Sequence, residues 1–262
     1  MNELAGMNEL AEKLWNARVN GTVVGLQGLW QPTSKDEAHQ IQSLIYELAG
    51  HERLGFKVGS TSKEAQTYLG SSGPNCAELM SPYVYTSPAT VSVSAAHGPQ
   101  LEGEFAFKLG KDLPPRSTPY TVDEITDAIA AVAGAIEIVG SRIADGLANA
   151  GAVLLTADCG ANMGLVIGKW QADWMDLDLP THPVQMFINN QLCGHGTGSK
   201  ALDNPLNVMV WLANRQSETG RGLRRGEIIS TGTCTGLDAV NAGDKVRADF
   251  GSLGFVDVLF SG

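Results

Sequence analysis

The sequence predicts an α+β chain, with a mainly helical region over residues 1–98 and a β-rich body over residues 99–262. Two observations carry that division. Apolar residues at helical spacing, several runs opened by a capping pattern, mark the first part; from Glu102 onward short apolar runs alternate with Gly-rich turns. A chain of 262 residues buries a real core, and 43% hydrophobic with 18% charged residues is an ordinary globular balance. No repeat of solenoid period and no disordered linker breaks it.

The elements follow in order. Leu4, Met7, Ala11 and Leu14 recur at helical spacing, and Arg18 closes the run. Ser34-Lys35-Asp36-Glu37 is a capping box, in which Ser and Glu each satisfy an orphan backbone N–H of the other's residue. Behind it Ala38, Ile41, Ile45 and Leu48 form an apolar stripe, with Gly50 as the stop. The segment around Phe56-Lys57 reads as strand. The same S/T-x-x-E start recurs at Thr61–Glu64 and at Thr121–Glu124, the second predicting a helix with Ile125, Ala128, Ile129 and Val132 on one face. Glu102–Leu109, Ala135–Arg142 and Gly164–Gly168 read as buried strands, and Gln185–Leu192 as a hairpin arm. Asn204 caps a late helix, with Pro205 where its missing N–H costs nothing and Leu206, Met209, Val210 and Ala213 as its stripe. Short strands close the chain at Glu227–Ser230, Lys245–Phe250 and Phe255–Phe260.

Composition excludes several function classes. Eighteen Lys and Arg against twenty-eight Asp and Glu give a net charge of −10, which repels phosphate backbones and argues against a nucleic-acid partner. An anionic substrate stays open, because a bound dication reverses the local field. Cys76, Cys159, Cys193 and Cys234 lie far apart with no C-x-x-C pair, as expected of free thiols in a reducing compartment. No apolar run reaches spanning length and the N-terminus is too acidic for a signal peptide, so a cytoplasmic protein with no membrane partner is expected. Met1–Ala5 repeats as Met7–Ala11, which leaves either methionine as the native start.

Two Gly-rich stretches are decoys. Gly194–Lys200 lacks the spacing of a P-loop and Thr231–Gly236 has no dinucleotide fingerprint; both read as turns. The five histidines form no zinc-hydrolase pattern, and G-x-S-x-G is absent. The informative stretch is Leu101-Glu102-Gly103-Glu104-Phe105-Ala106-Phe107. On a strand, residues two apart share a face, so Glu102 and Glu104 stand side by side while Phe105 and Phe107 pack the other way. Glu137 then sits alone inside the apolar Ala135–Val139 run. A buried carboxylate needs compensation. A carboxylate-only donor set suits Mg2+ or Mn2+. The alternative is a solvated strand face for Glu102 and Glu104, with Glu137 paired to an arginine.

The chain resembles the fumarylacetoacetate hydrolase superfamily, in its branch of 2-keto-4-pentenoate hydratases and 4-oxalocrotonate decarboxylases. The likeness spans nearly the whole sequence. It lies in Gly55–Gly59 with Thr61–Lys63, in Leu101–Pro115, in Ala135–Ile143, in Asn204–Asn207 with Trp211–Asn214, and in Ala242–Val246 with Leu253-Gly254. Three departures stand against it. Pro74-Asn75-Cys76-Ala77 holds Asn where hydratases of the branch carry Asp, and Asn cannot act as a general base at neutral pH. Ala157-Asp158-Cys159-Gly160-Ala161 lacks an expected serine, and Gly146 replaces a tryptophan.

The resemblance implies a mixed β-roll, with Glu102, Glu104 and Glu137 as ligands of Mg2+ (or Mn2+) and Lys57 as the catalytic proton carrier. It also implies a homo-oligomer and a small 2-oxo or 2-hydroxydienoic acid substrate from ring-cleavage catabolism. Asn75, Asp158 and Thr231 are expected to touch that substrate. Desolvation and a neighbouring dication are expected to lower the Lys57 pKa. The implied reaction is hydration of a 2-hydroxy-2,4-dienoate to a 4-hydroxy-2-oxo acid. The alternatives are decarboxylation of a 4-oxalocrotonate-like diacid, or an inert metal-binding paralogue that supports an active partner.

Overall fold

The computed structural model describes residues 3–262, the Tyr68 side chain excepted, so Met1 and Asn2 of the repeated pentapeptide lie outside the described residues. In chain order the elements are α1 (Glu3–Asn20), α2 (Lys35–Ala49), β1 (Arg53–Gly59), α3 (Lys63–Leu69), β2 (Asn75–Met80), β3 (Val84–Thr86), β4 (Ala89–Ser92) and β5 (Gln100–Leu109). There follow α4 (Val122–Ala128), β6 (Ile129–Val139), α5 (Gly146–Ala157), β7 (Asn162–Ile167), β8 (Pro183–Ile188), β9 (Gln191–Thr197), α6 (Pro205–Glu218), β10 (Ile228–Ser230), β11 (Asp238–Ala239), β12 (Lys245–Asp249) and β13 (Phe255–Ser261).

Two mixed sheets form the body. The larger runs β2-β1-β10-β5-β6-β7-β3, with β11 added to β5; the smaller runs β4-β13-β12-β8-β9. The β1–β10, β3–β7 and β4–β13 pairs are parallel and the others antiparallel. Strands from before residue 99 therefore enter both sheets. One face of β5 packs on the small sheet: Phe105 meets Phe250 edge-on at 5.9 Å. A Cβ on Gly134 of β6 would lie 2.2 Å from the Phe250 ring, so only glycine lets the two sheets close there. Phe107, Val184, Met186, Met209 and Leu212 complete this main core. A second core joins α1, α2 and α5 through Leu10, Leu14, Ile41, Ile45 and Leu155. No helix among the described residues is long and apolar enough to cross a membrane.

Local reasoning holds best where caps act. Ser34 and Glu37 form the reciprocal capping box of α2, and Gly50 ends it in the left-handed conformation. Asn204 accepts from Leu206 N, with Pro205 at the first helical position. Elsewhere the structure corrects the expectation. The cap of α3 is Ser62, which accepts from Ala65 N, rather than Thr61. Thr121 and Glu124 do cap α4, but that helix ends at Ala128; Ile129 and Val132 belong to β6. There the β-branched residues gain a full ladder with β5, with Ile129 opposite Leu109 and Val132 opposite Phe107. The Gln185–Leu192 stretch contains a turn: Asn189 and Asn190, both at positive φ, join β8 to β9. Gly194–Thr197 continues β9 rather than turning. The helix α5, kinked at Gly151, carries no capping side chain and was not expected.

Candidate active site and metal centre

The antiparallel register of β5 and β6 sets Glu102 directly opposite Glu137, and the pleat brings Glu104 to the same face. The three carboxylates offer oxygens that all lie within 4.8 Å of one another. Glu104 and Glu137 are completely buried, while Glu102 is half-buried and reaches a cavity of about 480 Å³. Three like charges packed this closely repel, and water is too scarce to screen them. Burial first, and then Glu137, push the Glu102 carboxyl up to about 8. Burial, Glu137 and Glu102 raise Glu104 well above the usual carboxylate range.

Neutral donors and one cation hold the group in place. The Ser230 hydroxyl donates to Glu104 Oε2. Asn162 Nδ2 donates to Glu137 Oε1 at 2.7 Å, and the Lys57 ammonium approaches the same oxygen at 3.3 Å. Glu104 Oε1 and Glu137 Oε2 are buried with no hydrogen-bond partner. Orphaned acceptor oxygens at such a centre are costly, and they supply the open coordination a hard cation uses. The residues present therefore fit Mg2+ or Mn2+: every donor is a carboxylate oxygen, with no His or Cys in the cluster.

Lys57 reaches the centre from β1, where it pairs with Ser230 of β10 and Ala77 of β2. Its ammonium donates to Gly160 O at 2.9 Å and lines the cavity. Burial pulls its pKa down, but Glu137, Glu102 and Glu104 outweigh that and hold it above the ordinary lysine value. The expected downward shift is thus reversed among the carboxylates alone.

Of the remaining expected contacts, one reaches the cavity and two do not. Asn75 lines it: Nδ2 donates to Ser60 Oγ at 3.3 Å, and Oδ1 is buried without a partner. Asp158 does not. Its carboxylate is 2% exposed and spent on Arg142, taking Nε at 2.7 Å and the backbone N at 2.8 Å. Thr231 is completely buried and donates to Phe105 O at 3.0 Å, so strand alternation puts its neighbour Ser230 at the centre instead. Reading the sequence also missed Asn162, Gly160 and Thr233. Thr233 lies in the Thr231–Gly236 loop, whose turn it closes by accepting from Gly236 N at 2.9 Å, and it lines the cavity. Two of the three departures from the resemblance lie here too: Asn75 and Ala161 line the cavity wall, and Gly146 does not.

A family model described as fumarylacetoacetate (FAA) hydrolase C-terminal matches residues 61–258. The chain belongs to the fumarylacetoacetate hydrolase family. Within that family it is similar to a 2-keto-4-pentenoate hydratase of Paraburkholderia xenovorans (strain LB400), 32% identical over 96% of this chain and 94% of the relative. A 2-hydroxyhexa-2,4-dienoate hydratase of Comamonas testosteroni is 34% identical over 83% of this chain and 81% of the relative. Among solved structures, 4-oxalocrotonate decarboxylase from Pseudomonas putida G7, complexed with magnesium and adipate, superposes with a TM-score of 0.85 at 24% identity. It covers 97% of both chains, so the mixed β-roll with helices at its N-terminal end is the family's fold.

Proposed function

We propose that the chain is a divalent-metal-dependent hydratase that adds water to a 2-hydroxy-2,4-dienoate to give a 4-hydroxy-2-oxo acid. One observation carries this reading: Glu102, Glu104 and Glu137 converge beside the Lys57 ammonium, and Glu102 and Lys57 open this cluster onto a single cavity. The hydratase names of the similar proteins support it. Glu102, Glu104 and Glu137 would hold Mg2+ or Mn2+, which would supply Lewis-acid stabilisation of negative charge on a 2-oxo acid.

The chain's own residues do the rest. Lys57, kept charged by Glu137, gives a proton to the far carbon of the dienol and recovers one from the 2-hydroxyl, leaving an α,β-unsaturated 2-oxo acid. Water then adds its hydroxyl at C4 and a proton at C3. Asn75 presents Oδ1 as an acceptor that orients this water without taking its proton. Asn162 and Ser230 fix the carboxylates so that they need not reorganise.

The second reading, decarboxylation of a 4-oxalocrotonate-like diacid, is favoured by Asn75, an amide that cannot act as a general base at its place in the cavity wall. An inert paralogue is disfavoured by a lysine that is both buried and in the cavity wall. We further propose a homo-oligomer, which light scattering on the purified protein tests. The deciding experiment supplies Mg2+ with a 2-hydroxydienoate or with 4-oxalocrotonate and follows the 4-hydroxy-2-oxo acid and CO2. Product from the dienoate without CO2 from the diacid supports hydration; the reverse selects the decarboxylase.

A further inference from the structure

We infer that the cavity selects a substrate whose far end is uncharged and apolar, and discriminates against one with a second, terminal carboxylate. This rests on the reading of the site as a centre for 2-oxo acids.

Charge is the first argument. With a dication bound, the three glutamates and Lys57 sum to zero, so one chelating carboxylate already makes the centre net negative and none of its positive charge is left for a second. Among the described residues lining the cavity, Lys57 is the only cation, and its ammonium is already engaged by Glu137 at 3.3 Å and Gly160 O at 2.9 Å. Away from the centre the one charged wall residue is Glu64, which has the sign that repels a terminal carboxylate.

Shape is the second. Leu69 of α3, Leu147 and Leu155 of α5, and Leu237 before β11 converge on the cavity from three parts of the chain. A hydrocarbon tail laid against them sheds water at a gain. A carboxylate in the same place would shed its hydration and find no counter-ion. The wall hydroxyls compensate poorly: Thr233 spends its proton within the protein, and Ser60 and Ser62, which only accept there, offer neutral donors and no counter-charge. Ser62 accepts from Ala65 N at 3.1 Å, Ser60 accepts from Asn75, and Thr233 donates to Gly236 O at 3.0 Å.

The test is calorimetric titration of the Mg2+-loaded protein with two non-reacting acids of equal length, 2-oxohexanoate and 2-oxoadipate. They differ only in a terminal methyl against a terminal carboxylate. The monoacid is expected to bind at least tenfold more tightly. Leu237→Arg, at a position 44% exposed where the fold tolerates a longer side chain, is expected to tighten the diacid and close most of that gap. Equal or tighter binding of the diacid by the unaltered protein overturns the inference while leaving the 2-oxo-acid reading intact, as does an unchanged ratio in Leu237→Arg. Binding of neither acid overturns both.

Discussion

Asp158→Ala is expected to destabilise the fold by about 3–5 kcal/mol, the cost of leaving a buried guanidinium without its counter-charge. Burial places the variant firmly in that regime: Arg142 is 1% exposed, so water cannot replace the lost carboxylate. Arg18 adds to the penalty. Its guanidinium is pulled down in pKa by burial and by Arg142, and without Asp158 the two cations face each other with less compensation. For a chain of this size the loss corresponds to roughly 6–20 °C in Tm. Burial also raises the Asp158 carboxyl above its ordinary pKa, against the pull of Arg142. The double variant Arg142→Met, Asp158→Leu leaves no unpaired buried charge but loses the guanidinium's bonds to Asp158 O and Asn162 O, so it should remain less stable than the unaltered chain. Urea unfolding followed by far-UV circular dichroism reads both, at unchanged m. An Asp158→Ala protein with an unshifted midpoint and a raised KM would refute the structural role and restore Asp158 as a substrate contact.

Chelator treatment should abolish turnover, with Mg2+ or Mn2+ restoring it and Zn2+ restoring less, because the donors are carboxylates alone; full activity after metal removal would exclude the centre. Glu137→Gln should weaken Mg2+ binding without unfolding the chain, and unchanged affinity by calorimetry would reassign Glu137 as only the partner of Lys57. Lys57→Met should keep the metal yet lose kcat by roughly a hundredfold or more, with KM measured separately in case the ammonium also binds carboxylate. His97 gives a pH dependence outside the centre. Burial lowers its pKa below the ordinary value of 6.5, as does Arg142, against its hydrogen bond to Thr22 O and the nearby Asp158. The unfolded chain then binds more protons, so this contribution is present above about pH 6.5 and lost as pH falls toward the folded pKa. Urea midpoints at pH 7.5 and pH 5.5 should differ, and His97→Gln should shrink the difference.

What was legible in the sequence follows the range of the interactions. Caps and strand alternation are local, so Ser34, Asn204 and the common face of Glu102 and Glu104 could be read directly. The opposition of Glu102 and Glu137 is a matter of register between strands separated by a helix, which spacing alone leaves open. Pairing with β5 overrode a helical pattern at Ile129 and Val132, since a strand buried on both faces carries apolar residues at nearly every position, the helical spacing included. Thr231 adjoins Ser230, and the β1–β10 register with the bond of Ser230 to Glu104 resolves which of the two faces the carboxylates. Asp158 lay in the right loop but had a buried arginine to answer, and no local signal ties it to Arg142.

That loop ties a structural ion pair to the lysine proposed as proton carrier. Cys159, Gly160 and Ala161 all take positive φ, at 51°, 62° and 62°, a run that costs roughly 1–2 kcal/mol for each residue bearing a Cβ. Such a conformation persists only if its ends are held. Arg142 holds both: its guanidinium donates to Asp158 O at 2.6 Å on one side and to Asn162 O at 3.1 Å on the other, while Asp158 neutralises it. The turn clamped this way aims the Gly160 carbonyl at Lys57 and the Asn162 amide at Glu137. At Gly160 a side chain would also press to 3.3 Å from the Lys57 Cδ, so glycine there serves both the turn and the lysine. Loosening Arg142 or Asp158 thus has a second consequence beyond stability. It frees the two groups that hold Lys57 and Glu137 together, so under the proposed mechanism kcat should fall in variants that remain folded, although neither residue lines the cavity.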